Sequence, residues 1–313
     1  LGLKDDCALI AAPPGTELAV TTDSIIAGVH FFPDEDPGAV AWKALAVNVS
    51  DLIAKGATPL AYLMSIALPG APDHAWLEKF AAGLGAAQAA FGCHLAGGDT
   101  DRTPGPISVT ITAFGVVPEG CVVRRSTARV GDQVYVSGTI GDAALGLALR
   151  RDPALRATCG LNLEMRSVLE GKFSRPRPPV ALIAALRTCA SAAMDVSDGL
   201  IKDFDRLCRA SAVGGRIEVP HVPLSAAAHA VVAAHGATLI DLITGGEDYE
   251  ALATIPPSRA AEYERLAAAA GIAVTRIGAI EDASAGISAI DAAGVPLAIA
   301  RTGWDHFLPP DVT

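Results

Sequence analysis

The segment Ala193-Met-Asp-Val-Ser-Asp-Gly-Leu200 constrains the chain most. A short apolar run, Cys189 to Met194, leads into it. Leu200, Phe204, Leu207 and Cys208 follow at the spacing of one helix face. The pattern predicts a strand that turns at Asp195–Gly199 into a helix, with two carboxylates three residues apart at the junction. One Asp in such a turn is ordinarily a cap for the free N–H groups of the first turn. A cap needs one oxygen, whereas a pair suits a hard cation.

Acidic residues recur at the expected ends of other elements. Asp5-Asp6 precedes an apolar run, Asp23 follows Thr21-Thr22, and Asp51 falls near the end of a long helical pattern. Asp99 follows Gly97-Gly98, and Glu247-Asp248 follows Gly245-Gly246. Glycine lets backbone N–H groups approach a ligand closely, and such groups cradle anions without a lysine. The set is oxygen-only, without paired Cys or His, which fits Mg²⁺ and argues against Zn²⁺. Divalent cations also relieve the repulsion between carboxylates and a polyphosphate. The residues therefore predict a Mg²⁺-dependent enzyme acting on a nucleotide. No G-x-x-x-x-G-K-[ST] loop, convincing strand-to-helix G-x-G-x-x-G or protein-kinase motif set is present.

Composition narrows the class. The 313 residues suggest two domains, and 51% hydrophobic against 19% charged residues supplies a large core. The formal net charge of −10, with no run of Lys or Arg, argues against nucleic-acid binding. No apolar stretch is long enough to span a bilayer, and no basic-then-apolar leader stands at the start. Six scattered cysteines without a C-x-x-C pair read as reduced thiols of a cytoplasmic protein.

Periodicity predicts strands at 7–11 and 18–23, the second ending on Asp23, then a helix over 38–55 and a strand at 60–68. A helix capped by Asp73 is expected over 73–91 and a strand at 107–117. Pro118-Glu119-Gly120 reads as a boundary between an N-terminal domain, 1–120, and a C-terminal domain, 121–313. Beyond it, strands are expected at 133–137, 191–194, 216–219, 249–255 and 274–280. Helices are expected near 142–150, 178–188, 199–212, 225–234 and 258–270, with a hairpin turn at Asp291–Gly294. Both halves read as α/β with mixed sheets.

Taken together, these segments resemble the thiamine-monophosphate kinase family, part of the superfamily of aminoimidazole ribonucleotide synthetase and selenophosphate synthetase. The matches are Asp5-Asp6-Cys-Ala-Leu, Thr21-Thr-Asp23, Gly28-Val-His30-Phe and Lys43-Ala-Leu-Ala-Val-Asn-Val-Ser-Asp51-Leu. They continue through Gly97-Gly-Asp-Thr100, Gly131-Asp, Val136-Ser-Gly-Thr-Ile-Gly-Asp142, Asp195-Val-Ser-Asp-Gly-Leu200, Gly245-Gly-Glu-Asp-Tyr-Glu250 and Gly303-Trp-Asp-His-Phe307. The last separates the family from its relatives, of which a cyclo-ligase or dehydratase type is the alternative. The chain departs from the pattern at Lys4, where the family has glycine before the double Asp, and at Asp101.

The resemblance implies a two-domain fold like that of aminoimidazole ribonucleotide synthetase, with N-terminal domains joined across a homodimer interface. It implies direct transfer of the ATP γ-phosphate to thiamine monophosphate, giving thiamine diphosphate and ADP. By position, Asp6, Thr22, Asp23, Asp51, Asp99, Asp195 and Asp198 are the implied Mg²⁺ ligands, with Asp195 and Asp198 at the catalytic centre. Thr21, Gly98, Asp99, Arg125 and Ser197 are implied ATP or metal contacts. His30, Glu247 and Trp304 are implied substrate contacts. Neither nucleic acid nor membrane is an expected partner.

Overall fold

The computed structural model describes residues 7–234 and 236–305. Asp5, Asp6, His306 and Phe307 lie outside the described residues. The chain folds as two units: one runs to Val122 and includes Ser174–Val180, and the other comprises Val123–Phe173 and Ala181 onward.

The first unit is β1 (Thr16–Ile26), α1 (Pro37–Ala54), β2 (Thr58–Leu68), α2 (His74–Phe91), β3 (His94–Arg102) and β4 (Ser108–Pro118). The strands form one mixed sheet in the order β1-β4-β2-β3. β2 and β3 pair in parallel, with α2 as the crossover that parallel pairing requires. Helix α1 starts where the Asp36 carboxylate accepts the Ala39 amide at 3.0 Å and Pro37 opens the first turn. It is apolar all round, and Gly38 to Ser50 and Leu52 to Ala54 are all buried. That composition suits a helix covered on both sides, by the sheet and by α2. Pro176 accepts the Trp42 indole N–H at 2.6 Å and Arg177 lies 5.5 Å over its ring, which ties Ser174–Val180 to this unit.

The second unit is β5 (Gln133–Ser137), α3 (Asp142–Arg151), α4 (Pro153–Thr158), α5 (Leu163–Ser174), α6 (Ile183–Cys189), β6 (Ala192–Val196) and α7 (Leu200–Ser211). It continues with β7 (Gly214–Glu218), α8 (Ala226–Ala233), α9 (Leu239–Thr244), β8 (Glu250–Ile255), α10 (Ala260–Ala269), β9 (Val274–Glu281) and β10 (Ile287–Ile290). Its six strands are ordered β10-β7-β9-β5-β8-β6, antiparallel except for β10 and β7. Leu200, Phe204, Leu207 and Cys208 of α7 pack with Val134, Met194, Leu252 and Ile277 from the sheet in one buried core. The expected α/β class with mixed sheets is what the structure contains.

Local expectations fail in four places. Residues 7–11, expected as a strand, form none. β1 does not end at Asp23 but stays paired to β4 as far as Ile26, so Asp23 is a mid-strand residue. Gly97-Gly98-Asp99 lies inside β3, not at the end of an element; a Cβ on Gly98 would sit 1.9 Å from the Met64 carbonyl oxygen, so only glycine allows this pairing. Helices α4, α5 and α9 were not anticipated. The turn at Asp291–Gly294 is present, closed by the Asp291 amide donating to Val295 at 3.0 Å, but beyond it only a bridge between Ile290 and Pro296 forms.

Candidate active site

In the first unit the site grows from β1 and α1. Side chains alternate along a strand, so Thr21, Asp23 and the buried Ile25 share the face toward α1. Thr21 donates its hydroxyl to the Asp51 carboxylate at 2.6 Å. Asn48, fully buried one turn earlier on α1, accepts the Asp23 amide at 2.9 Å. Asp51 and Asn48 thus brace β1 at the two residues flanking Thr22. Thr22 itself is on the opposite face, its hydroxyl 3.1 Å from that of Thr112. His30, in the loop after β1, accepts the Ile26 amide on Nδ1 at 3.0 Å, which fixes the ring proton on Nε2. Buried Lys43 donates to the His30 carbonyl at 2.7 Å.

Gly98 and Asp99 lie elsewhere. The registers run Asp23, Ile111, Met64, Gly98 across the sheet, from one edge to the other. Three strand spacings separate β1 from β3, about 14 Å along the sheet. Gly98 and Asp99 instead line a groove of about 1170 Å³ with Leu18, Leu63, Met64 and Phe114.

In the second unit three distant segments meet at the turn between β6 and α7. The Glu247 amide donates to the Ser197 carbonyl and the Tyr249 amide to that of Val196, both at 2.8 Å. A Cβ on Gly246 would fall 2.6 Å from the Ser197 oxygen, so the glycine permits the approach. The Trp304 amide donates to the Asp198 carbonyl at 2.8 Å, and Lys202 donates to the Trp304 carbonyl. Arg301 lies 5.8 Å over the Trp304 ring. Asp195, Ser197, Asp198, Glu247 and Trp304 are therefore gathered around one loop. Arg125 is not. It is exposed, and its carbonyl accepts from Ser211 at the far end of α7. A 12-residue helix places that end about 18 Å from Asp198.

The loop is held by residues that the motif reading passed over. Asp203, with no exposed surface, accepts the amides of Ser197 and Asp198, each at 2.9 Å. Burial pushes its carboxyl up to about 6, with the Asp198 charge adding to the shift and its N–H donors and Arg206 opposing it. Arg206 reaches Asp203 at 2.8 Å and Asp198 at 2.6 Å, and Lys202 lies 3.4 Å from Asp198. An acid on the apolar stripe of α7 was the available signal for Asp203.

The donor set fits magnesium. Every candidate is an oxygen, and among the described residues no three of His, Cys, Asp or Glu close a cage by themselves. Mg²⁺ is ordinarily held by one or two carboxylates plus substrate phosphates, so an open pair such as Asp23 with Asp51, or Asp195 with Asp198, is the expected form.

Residues 4–117 match the AIR synthase related protein, N-terminal domain, and residues 129–290 match the AIR synthase related protein, C-terminal domain. Those matches define the class, a protein built from both AIR synthase related domains. Thiamine-monophosphate kinase of Salmonella typhimurium is 38% identical over 309 residues, 99% of this chain and 92% of the relative. The crystal structure of thiamine-monophosphate kinase from Stenotrophomonas maltophilia superposes with a TM-score of 0.82 at 36% identity, over 92% of this chain and 90% of that one. The structure of AaThiL complexed with AMPPCP and TMP gives 0.81 at 31% identity, over 95% and 89%. The chain belongs to the thiamine-monophosphate kinase family.

Proposed function

We propose that this protein transfers the γ-phosphate of ATP directly to the phosphate of thiamine monophosphate, with magnesium, and works as a homodimer. One observation carries the reading: Asp195, Ser197, Asp198, Glu247 and Trp304, from three separate stretches of sequence, converge on one loop. The substrate assignment rests on family membership and on the AMPPCP and TMP held by AaThiL.

The attacking group is already a phosphate oxyanion, so no strong general base is required, and positioning and charge dominate the barrier. Magnesium, when bound, offsets the charge of the two phosphates. Asp23 with Asp51 in the first unit, and Asp195 with Asp198 in the second, would each hold such an ion, with Asp51 oriented by Thr21 and Asp198 by the braced loop. Asp6, Thr22 and Asp99 complete the proposed ligand set. Gly98 offers backbone to ATP and Ser197 its hydroxyl, since the Ser197 amide and carbonyl are taken by Asp203 and Glu247; Arg125 stands away from that loop. His30 presents Nε2–H as a donor toward the substrate. Glu247 accepts from the aminopyrimidine, and the Trp304 ring stacks on the cationic base, as its pairing with Arg301 illustrates for a guanidinium. The dimer is favoured by Leu18, Val20 and Leu63, large apolar side chains exposed on the sheet face opposite α1.

The test is turnover with thiamine monophosphate, ATP and Mg²⁺, followed as thiamine diphosphate formed. Asp198→Asn is expected to lower kcat by roughly 100-fold or more. Trp304→Ala is expected to raise KM for thiamine monophosphate far more than KM for ATP. A folded protein that forms no thiamine diphosphate refutes the proposal.

A further inference from the structure

The Ser137–Asp142 turn takes no part in the phosphate chemistry above, yet it seats two acids of the Gly245–Glu250 segment: Ser137 donates its hydroxyl to Glu250 at 2.6 Å, and the Gly141 amide donates to Asp248. Asp248 is 6% exposed, and its Oδ1 accepts the Gly141 amide at 2.9 Å. Its Oδ2 is also buried, without a hydrogen-bond partner among the described residues. Burial raises the Asp248 carboxyl well above the usual carboxylate range. The nearby Glu250 and Asp142 charges add to the shift, while the Gly141 amide and Lys172 oppose it. A buried acid with one hydrogen bond contributes little to stability.

The backbone on either side shows what the residue holds. Glu247 has φ +75° and Tyr249 φ +51°, left-handed conformations that residues with a Cβ avoid. The two amides are pinned to Ser197 and Val196, and Asp248 between them is pinned to Gly141. Three ties over three residues fix a strained stretch, as surrounding structure must if strain is to persist.

We infer that Asp248 is a positioning residue: seated in the Ser137–Asp142 turn, it keeps Glu247 in its left-handed conformation and so aims the Glu247 carboxylate at the substrate. The inference rests on the reading of Glu247 as a contact of thiamine monophosphate. Asp248 touches neither substrate and acts through its neighbour.

Steady-state kinetics of Glu247→Gln, Asp248→Ala, Asp248→Asn and the Glu247→Gln/Asp248→Ala double variant test it. Asp248→Ala should raise KM for thiamine monophosphate about tenfold and leave KM for ATP within about twofold. Asp248→Asn keeps an uncharged acceptor for Gly141 and should restore KM to within about threefold of wild type. The double variant should be no worse than Glu247→Gln alone, because both changes remove one interaction. If Glu247→Gln is selective for thiamine monophosphate while Asp248→Ala is silent or affects both substrates equally, the inference fails and the functional reading stands. If Glu247→Gln itself shows no selectivity, the assignment of Glu247 fails and the inference with it. Should Asp248→Ala not fold, hydrogen exchange of the wild-type Gly141 amide decides. Thiamine monophosphate should slow it and ATP alone should not; an unchanged rate overturns the inference.

Discussion

Asp203 sits with no exposed surface under two backbone amides and beside Arg206, and its carboxyl is raised to about 6. The folded state therefore holds a proton between pH 3.8 and about 6 that the unfolded chain has released. Stability contributed through this group is greatest on the acid side and falls as pH rises through that window, by about 3 kcal/mol. Asp203→Asn should flatten that part of the profile. Urea midpoints between pH 4 and 7, measured in a chelator, check this; an unchanged slope refutes it. Sequence alone made Asp195 and Asp198 legible, because a strand-like run, two acids and a helix face follow one another without a break. It did not distinguish Thr21 from Thr22, since strand alternation assigns opposite faces but not which face meets α1. Asn48 is visible in the sequence only inside the Lys43–Leu52 match, because its partner, the Asp23 amide, is 25 residues away.

Helices α1 and α2 touch where Gly83 meets Gly38. A Cβ on Gly83 would lie 2.2 Å from the Gly38 carbonyl oxygen, a backbone atom that cannot rotate aside. Gly83→Ala should force the helices apart and destabilise the first unit by roughly 1–3 kcal/mol, the usual range for overpacking. Thermal unfolding with an intact second-unit transition is the measurement, and an unchanged Tm refutes the contact. The long elements α1, α2, β2 and β4 could be read from periodicity and caps, because each buries a regular set of apolar side chains. β3 could not. Its Gly97, Gly98, Asp99 and Asp101 run against strand propensity, and the strand exists because β2 supplies the pairing. The expected strand at 7–11 shows the converse: an apolar run that enters no sheet ladder stays irregular. Helices α4 and α9 have six residues each, too few for a 3.6-residue period to show.

For the whole molecule, the order β1-β4-β2-β3 puts Asp23 and Asp99 on opposite margins of one sheet. An ion with ligands at about 2.1 Å does not bridge such a span, so no single ion within one chain could take both acids as ligands. If a symmetric pair of chains shares the chemistry, each centre draws Asp23 from one copy and Asp99 from the other. Damage then becomes separable. Chains lacking only Asp23 and chains lacking only Asp99 would each be dead, yet after unfolding and refolding together about a quarter of the centres would be whole. Recovered turnover in that mixture, absent from either variant alone, would mean that catalysis belongs to the pair.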